Sequence, residues 1–169
     1  MNTAELSKGD AASDSAPHQV LSFCLAEETY GVDILRVKEI RRWTPVTRLP
    51  HTPAQVLGVL NLRGSIVPIV DLRVQFNLQS AEFTPLTVIV VLSIKVGNGR
   101  REVGLVVDSV SDVVDIDAAQ LKAAPNLASN VSERFIRGLV TVAERMMILL
   151  DVDELIRNDL AQAALDSAA

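Results

Sequence analysis

Short apolar runs separated by glycine, proline, asparagine and aspartate make up most of the chain from residue 20 onward. Such runs are typical of β-strands joined by tight turns. In residues 87–96 one face is apolar throughout, while the other changes from apolar residues to Ser93 and Lys95. Residues 65–71 are apolar on both faces, which favours a strand between two packed layers. The pattern predicts nine strands, at residues 20–25, 37–41, 59–62, 65–71, 87–96, 101–108, 113–116, 139–142 and 146–151.

The connections between these strands predict antiparallel sheets and few helices. Residues 97–99 are Gly-Asn-Gly and residues 63–64 are Arg-Gly, and both fit the tight turn of a β-hairpin. Residues 52–56 begin with Thr-Pro, which predicts one helical turn. Asp151 followed by Glu154 resembles a capping box, so a short C-terminal helix is expected after the last strand.

Two stretches of the chain share one sequence pattern. Residues 58–72 align without gaps on residues 138–152, and both contain a glycine, an apolar strand, a polar turn, a second apolar strand and an aspartate. Upstream, residues 31–40 and 104–113 share a glycine, a valine six positions later and then an acidic residue before an apolar one. Internal repetition predicts two β-subdomains of similar plan, with exchange of strands between them left open. The expected boundaries are roughly residues 20–85 and 86–155.

Composition indicates a compact protein rather than a disordered one. Of the 169 residues, 49% are apolar, which is enough to build a core. A net charge of -5 disfavours binding to nucleic acid, because the phosphate backbone is also negative. The longest apolar runs have five residues, far below the ~18 that a spanning helix needs. Cys24 is the only cysteine, which predicts no internal disulfide and a cytoplasmic location.

The ionisable and nucleophilic residues give little sign of catalysis. His18 and His51 have no metal-ligand companion at useful spacing, and Cys24 lies in an apolar strand as an expected core residue. Four aspartates at residues 108–117 have the chemistry to bind a divalent ion or to act as acid and base. The valines between them favour a solvated strand face instead. The sequence therefore predicts no catalytic residue, no metal and no cofactor, with a hydrolase or small-ligand barrel as the rival class.

Glu39 and Arg63 are charged residues placed inside apolar β segments. Opposite charges often pair across neighbouring strands. One interpretation is an ordinary surface salt bridge worth about 0–1 kcal/mol. The other is a fixed polar landmark on a binding surface, and the spacing alone leaves both open.

Three longer stretches carry a resemblance to a known family. Residues 30–41 read Tyr-Gly-Val-Asp-Ile-Leu-Arg-Val-Lys-Glu-Ile-Arg, and residues 46–53 read Val-Thr-Arg-Leu-Pro-His-Thr-Pro. Residues 58–73 read Gly-Val-Leu-Asn-Leu-Arg-Gly-Ser-Ile-Val-Pro-Ile-Val-Asp-Leu-Arg. In these motifs, and in residues 103–113 and 137–139, the chain resembles CheW, the family of coupling proteins of bacterial chemotaxis. The resemblance covers about residues 19–157.

The resemblance implies an all-β fold of two five-stranded, SH3-like barrels. It also implies which residues bind partners. The positions that match the family's receptor-binding residues are Val37, Glu39, Gly58, Arg63, Gly104 and Val113. Those that match the contacts to the kinase within rings are Thr47, Lys122 and Leu127. Family members can carry arginine in place of Lys122 and phenylalanine in place of Leu127, so partner strength can differ here.

The implied role is a non-catalytic adaptor that couples the cytoplasmic tips of chemoreceptors (methyl-accepting chemotaxis proteins) to the regulatory domain of the histidine autokinase CheA. A cytoplasmic protein recruited to membrane-associated receptor arrays is expected, with no direct membrane insertion and no nucleic-acid partner. A CheW-like adaptor of a pilus-motility or other chemosensory-like pathway is the alternative. The expected organisation is a flexible tail over residues 1–17, a CheW-like domain over residues 18–157 and a second tail over residues 158–169.

Overall fold

The structure is a computed structural model that describes residues 19–78, 82–123 and 135–157. These residues form ten strands and only short helices. The strands are β1 (Gln19–Leu25), β2 (Glu28–Asp33), β3 (Val37–Arg42), β4 (Val56–Leu62), β5 (Ser65–Asp71), β6 (Val88–Val96), β7 (Gly99–Val107), β8 (Ser109–Asp115), β9 (Ile136–Val142) and β10 (Arg145–Leu150). The helices are α1 (Leu72–Gln75) and α2 (Val152–Arg157), and 3-10 turns lie at Ile34–Arg36 and Ala118–Gln120.

Each of the nine predicted strands overlaps a strand of the structure. The sequence pattern misses β2, whose residues are Glu-Thr-Tyr-Gly-Val-Asp. Only Tyr30 and Val32 give this strand an apolar face, and a glycine separates them. A segment this short and polar does not register as an alternating strand.

The two helix predictions have different outcomes. Residues 53–56 form a single hydrogen-bonded turn, in which the Val56 N–H donates to the Pro53 carbonyl at 3.0 Å, but no helix, because Val56 already opens β4. The C-terminal helix is confirmed as α2. Its first turn is capped as predicted, since the Glu154 N–H donates to the Asp151 carboxylate at 3.1 Å.

The strands form two five-stranded sheets. One has the order β8-β1-β2-β10-β9 and the other has the order β3-β6-β7-β5-β4. Most neighbours are antiparallel, but β10 is parallel to β2 and β5 is parallel to β7. The prediction of purely antiparallel sheets is therefore wrong at these two pairs. Hairpin turns report only pairings that are local in sequence, whereas both parallel pairs join distant segments.

Both sheets combine strands from the two sequence repeats. Exchanging the labels of β1–β5 with those of β6–β10 turns the order of one sheet into the order of the other. The repeat is real, but the boundaries at residues 20–85 and 86–155 do not separate the sheets. The chain passes from the first sheet to the second between β2 and β3, and it returns between β7 and β8. We call these two connections the crossovers.

A single bridge joins the two edges of each sheet. Thr47, in the segment after β3, exchanges backbone hydrogen bonds of 3.0 and 2.8 Å with Val59 of β4. Lys122, in the segment after β8, exchanges bonds of 2.8 and 2.7 Å with Leu139 of β9. Both sheets thereby close into SH3-like barrels. Barrel 1 is the sheet that contains β1 and barrel 2 is the sheet that contains β3.

Three apolar clusters stabilise this arrangement. Each barrel has a small interior cluster of its own, and a larger third cluster contains residues of both barrels. Strand β6 contributes to two of them, because Ile89 and Val91 belong to the interior of barrel 2 while Val90 and Leu92 belong to the shared cluster. Burying both faces of a strand is expected where it lies between two packed layers. The shared cluster holds the two barrels together as one unit.

Candidate functional site

The predicted pairing of Glu39 with Arg63 is confirmed. Glu39 lies in β3 and Arg63 lies in the tight turn between β4 and β5. The Arg63 Nη2 donates to Glu39 Oε2 at 3.0 Å. The Arg63 side chain is 80% exposed, whereas that of Glu39 is 22% exposed. The pair therefore offers an accessible guanidinium on a carboxylate that the strand holds in place.

The turn that carries Arg63 is itself fixed. Arg63 has a φ of +53° and is followed by Gly64 with a φ of +90°, the left-handed region that two-residue hairpin turns require. The Asn61 side-chain oxygen accepts the Gly64 N–H at 2.9 Å. A second cation, Arg41, lies 3.8 Å from the other oxygen of Glu39. This surface is thus polar and ordered at its centre.

Large apolar side chains are exposed on the strands that carry this ion pair. Ile40 in β3 is 44% exposed and Ile66 in β5 is 46% exposed. Val37 opens β3, is half-buried, and packs against the shared cluster. Val113 lies on β8, at the edge of the other barrel, and is 43% exposed. An ordered and accessible charge pair is typical of a surface that binds another protein.

Gly58 and Gly104 are buried and contribute shape rather than a side chain. A Cβ on Gly58 would lie 2.1 Å from the Thr47 carbonyl oxygen, so glycine permits the bridge that closes barrel 2. A Cβ on Gly104 would lie 2.6 Å from Ile69 Cδ1 and 2.7 Å from Ile89 Cγ2, inside barrel 2. The structure therefore places these two predicted site residues beneath the surface.

Thr47 and Lys122 occupy equivalent positions in the two barrels. Each is exposed and each makes the bridge that closes its own barrel. A surface depression beside Lys122 includes Leu139 and Met146, and the Met146 side chain is 59% exposed. Leu127 lies outside the described residues. The sequence repeat does not reveal the equivalence of Thr47 and Lys122, because the segments around them do not align.

Sequence reasoning missed a buried ion network around Arg73. This residue lies in α1, two positions after the Asp71 that ends β5, and its side chain is 1% exposed. Its Nε and Nη2 donate to the two Asp71 oxygens at 2.9 and 3.0 Å, and its Nη1 donates to Asp108 at 3.0 Å. Its guanidinium also lies 5.0 Å from the centre of the Phe83 ring, which stacks on Trp43. Burial by itself lowers the pKa of Arg73. The hydrogen bonds and negative charges of Asp71 and Asp108 outweigh this effect, so the pKa is raised above its ordinary value.

Asp108, in the network above, forms the crossover between β7 and β8, and a half-buried ion pair lies at the crossover between β2 and β3. Arg36, in the 3-10 turn between β2 and β3, donates through both terminal nitrogens to Asp153 of α2, with 2.9 Å between Nη1 and Oδ1. The turn is capped by Asp33, which accepts the Leu35 N–H at 2.9 Å. An aspartate immediately before a turn of this kind, with arginine at the end of the turn, is the signal from which a local cap could be inferred.

The four aspartates at residues 108–117 do not converge. Within the described residues, no group of three or more metal-ligating side chains is close enough together to hold an ion. The partners of the aspartates are Arg73 and the Ala26 N–H for Asp108, the Val113 N–H for Asp112, Gln19 for Asp115 and the Ala119 N–H for Asp117.

Two further observations concern Cys24 and the helices. Cys24 is only partly buried and its Sγ lies 3.7 Å from Ser111 Oγ, so the expectation of a core residue is wrong. A β-strand turns alternate side chains to opposite faces, and Cys24 falls on the face away from Phe23 and Leu25. In the described part of the chain no helix is long and apolar enough to cross a membrane.

The fold and its ordered charged surface define a protein-interaction module of the double SH3-like barrel class. A family model described as the CheW-like domain matches residues 19–160. The chain belongs to this family.

Several known proteins are similar along most of the chain. The chemotaxis protein CheW of Klebsiella aerogenes is 42% identical over 158 residues, which cover 94% of this chain and 92% of that protein. The chemotaxis protein CheW of Rhizobium meliloti is 38% identical over 146 residues, covering 86% and 92%. The crystal structure of the scaffolding protein TtCheW from Thermoanaerobacter tengcongensis superposes with a TM-score of 0.74 at 30% identity, covering 83% of this chain and 88% of that one.

Proposed function

We propose that this chain is a non-catalytic chemotaxis adaptor that couples the cytoplasmic tips of chemoreceptors to the regulatory domain of the histidine autokinase CheA. It acts in the cytoplasm and is recruited to receptor arrays at the membrane. Relatives named as chemotaxis proteins over more than 80% of the chain support this role. The observation that carries it is the Glu39–Arg63 pair, held at 3.0 Å on an exposed strand and turn.

The receptor contact rests on an ordered polar pair. A receptor tip is a helical bundle, and Glu39 and Arg63 fix the register of its exposed stripe on the edge of barrel 2. Gly58 and Gly104 keep barrel 2 closed beneath this surface, and Val37 and Val113 add apolar contact on the two edge strands. Each contact is weak, and the repetition of such contacts in an array supplies the overall strength.

The kinase contact is assigned to the closures of the two barrels. Thr47 and Lys122 stand at the closures of the two barrels, and Leu127 completes the set that matches the family. The two barrels are closed at equivalent positions by residues of different sequence. The chain therefore presents two different surfaces, one on each barrel, through which it can join neighbours in a ring.

Binding to the two partners, measured separately, tests the proposal. The purified chain is presented to a receptor cytoplasmic fragment and to the kinase regulatory domain, and both are expected to bind. Glu39→Ala and Arg63→Ala are expected to weaken receptor binding about tenfold or more while leaving the melting temperature within a few degrees, because the pair is partly exposed.

A matched control separates a specific contact from a general loss of charge. Arg100 is an exposed arginine near the start of β7; it pairs with Lys95, four residues along β6 from Val91, the partner of Glu39. Arg100→Ala is expected to bind the receptor fragment as the parent chain does. Lys122→Glu is expected to lose kinase binding and keep receptor binding. The proposal is wrong if the folded parent chain binds neither partner, or if the Glu39 and Arg100 variants bind the receptor equally.

A further inference from the structure

The interior of barrel 1 becomes polar toward one end. Alternate residues of a strand point to the same face, so the interior face of β1 runs from Val20 to Ser22 and Cys24. On β10 the interior face runs from Met147, which is buried, to Arg145, which is exposed. Apolar side chains therefore fill one end of this barrel, whereas hydroxyl, thiol and guanidinium groups lie at the other.

A hollow of about 170 Å³ opens at the polar end, and we call it the barrel 1 hollow. Its polar lining consists of Ser22, Thr29, Ser111 and Arg145. Ser111 occupies a bulge in β8, because Ser22 of β1 pairs with Asp112 and the next residue pairs with Val110. A bulge redirects the side chain of the extra residue, and here that residue lines the hollow.

The polar groups around the hollow are unpartnered. Within the described residues, the side chains of Ser22, Thr29 and Arg145 make no hydrogen bond or ion pair. The Ser111 Oγ has only the long contact of 3.7 Å to the Cys24 Sγ. Ser22 is nevertheless only 6% exposed. Buried hydroxyls are nearly always hydrogen-bonded, so these groups are expected to bind water or a ligand in the hollow.

The equivalent place in barrel 2 lies beside the Glu39–Arg63 pair. Gly31 and Gly104 align in the sequence repeat, and their strand partners are Ser22 and Val91. Ser22 of barrel 1 therefore corresponds to Val91 of barrel 2, which is buried in the barrel interior and pairs with Glu39. The smaller and polar serine leaves room and a hydroxyl where barrel 2 has an apolar side chain.

The arginines of the two barrels differ in their partners. Arg63, in the turn between β4 and β5, pairs with Glu39 at 3.0 Å. Arg145 directly follows the corresponding turn between β9 and β10, and it pairs with no acidic residue in the described ranges. Asp112 aligns with Glu39 but accepts the N–H of the residue after it. Barrel 1 thus has an arginine without the carboxylate that barrel 2 supplies to its own.

A carboxylate with a short alkyl chain matches this lining. Guanidinium and hydroxyl groups both donate hydrogen bonds to a carboxylate. None of the described residues that line the hollow is acidic, and Val114, Val142 and Met147 form its apolar wall. At about 30 Å³ for each water molecule, the hollow admits a ligand of roughly five or six non-hydrogen atoms.

We propose that the barrel 1 hollow binds a short aliphatic carboxylate. Its charged end lies on Arg145 and the hydroxyls, and its alkyl chain lies on the apolar wall. A free short-chain acid and the glutamate side chain of a bound protein share this chemistry. None of the described residues assigned to the receptor or the kinase lines the hollow, so this proposal can fail without affecting the adaptor role.

Nuclear magnetic resonance titration of the isotope-labelled full chain tests the site. The probes are butyrate for the free acid and acetyl-Ala-Glu-Ala-amide for the side chain. Butyramide and the matching glutamine peptide are the uncharged controls. At least one carboxylate is expected to shift the backbone signals of Thr29, Ser111 and Arg145 to saturation, while its uncharged control does not. The probe that binds more tightly identifies the source of the carboxylate.

Two substitutions locate the binding. Arg145→Met removes the charge, keeps much of the side-chain stem and is expected to weaken carboxylate binding about tenfold or more. Ser22→Val introduces the residue found at the equivalent position of barrel 2 and is expected to weaken binding by filling part of the hollow. Arg100→Met is the matched control, because Arg100 is an exposed arginine of barrel 2, and it should bind as the parent chain does.

The proposal is overturned if neither carboxylate gives saturable shifts, or if the uncharged controls give the same shifts. It is also overturned if sodium chloride at equal ionic strength reproduces the response. Parental binding by an Arg145→Met variant with an unchanged melting temperature would contradict the assigned site. Arg145 is exposed, so this variant is expected to fold, and it decides the question even if Ser22→Val does not fold.

Discussion

An ion pair joins each of the two crossovers to a helix, and the positions of the arginine and the aspartate are reversed between the two pairs. At the crossover between β2 and β3, the arginine lies on the crossover as Arg36 and the carboxylate lies on helix α2 as Asp153. At the crossover between β7 and β8, the carboxylate lies on the crossover as Asp108 and the arginine lies on helix α1 as Arg73. Helices α1 and α2 are equivalent in the repeat. An ion pair therefore joins a crossover to a helix at both equivalent positions of the fold. The arginine lies on the crossover in one pair and on the helix in the other.

The carboxylate of each pair also accepts a backbone hydrogen bond from a hairpin, β6–β7 for Asp153 and β1–β2 for Asp108. The Lys95 N–H on β6 donates to Asp153 at 3.0 Å, and the Ala26 N–H between β1 and β2 donates to Asp108 at 2.8 Å. Each link therefore joins a helix, a crossover and a hairpin. A charged hydrogen-bonded group is well suited to such a junction, because one carboxylate accepts from several donors at once.

The two links differ in the burial of the arginine. The side chains of Arg36 and Asp153 are each 18% exposed, whereas that of Arg73 is 1% exposed, and its two partners Asp71 and Asp108 are 1% and 37% exposed. A charge removed from water costs more to leave unpaired, so the same substitution is expected to have unequal effects at the two links.

Arg73→Met is expected to have the largest effect. Methionine keeps much of the side-chain stem but leaves the buried Asp71 carboxylate without its cation. Loss of one partner of a buried pair costs about 3–5 kcal/mol in the free energy of unfolding. Urea denaturation followed by circular dichroism measures this loss.

A second substitution shows whether the cost comes from the uncompensated charge. Asp71→Asn in the Arg73→Met background removes that charge and keeps an oxygen that can cap α1, where Asp71 now accepts the Arg73 N–H at 3.0 Å. The double variant is expected to regain part of the lost stability. No recovery would mean that the guanidinium stabilises the fold mainly by packing on Phe83.

Gly58→Ala is expected to cause the next largest loss of stability after Arg73→Met. Its counterpart in the sequence repeat is Gly138→Ala. The added Cβ would lie 2.1 Å from the Thr47 carbonyl oxygen at Gly58 and 2.7 Å from the Lys122 carbonyl oxygen at Gly138. Gly58 also has a φ of +153°. Overpacking and backbone strain together cost roughly 3 kcal/mol at Gly58 and less at Gly138. Equal losses in urea denaturation would contradict this ranking of the two closures.

Local signals in the sequence predicted most of the strands, whereas the Glu39–Arg63 pair joins residues 24 positions apart and was expected from charge placement and the family resemblance. Apolar alternation identifies a strand from its own residues. The C-terminal helix was predictable for the same reason, because Asp151 and Glu154 are three residues apart. These features depend on neighbours in sequence, which a single chain displays directly.

The membership of the sheets and the Arg73 network were not predictable from such signals. The pairing of β1 with β8 and of β2 with β10 joins residues that are far apart in sequence, and several registers satisfy the same apolar pattern. Arg73 resembles any arginine after an aspartate until the fold brings Asp108 to within 3.0 Å. The repeat revealed two equivalent units but not that each barrel mixes them.

Arg36→Met is the matched counterpart of Arg73→Met and is expected to cost less. It removes a two-point hydrogen-bonded pair, but Asp153 remains partly hydrated and keeps the Lys95 N–H as a donor. A loss of about 1–2 kcal/mol in the free energy of unfolding is expected. The same urea experiment measures it, and a loss as large as that of Arg73→Met would show that burial does not set the difference between the two links.

Tyr30→Phe is expected to have the smallest effect at neutral pH and a distinct effect in alkali. Tyr30 lies in the shared cluster, stacked between Phe23 and Phe76, whereas the repeat places Val103 at the equivalent position. Burial, and to a lesser degree the charge of Glu28, raise the pKa of Tyr30 above its ordinary value of 10.0.

The sign of the pH dependence follows from this raised pKa. Below pH 10 the tyrosine is neutral in both the folded and the unfolded chain, so its ionisation does not affect stability. Above that pH the unfolded chain ionises first, and the free energy of unfolding falls until the pH passes the folded-state pKa. Tyr30→Phe should abolish this part of the alkaline loss, as measured by urea denaturation from neutral pH to above pH 10. Absorbance titration of the chain's single tyrosine checks the cause, and an identical alkaline decline in the variant would assign the loss to other groups.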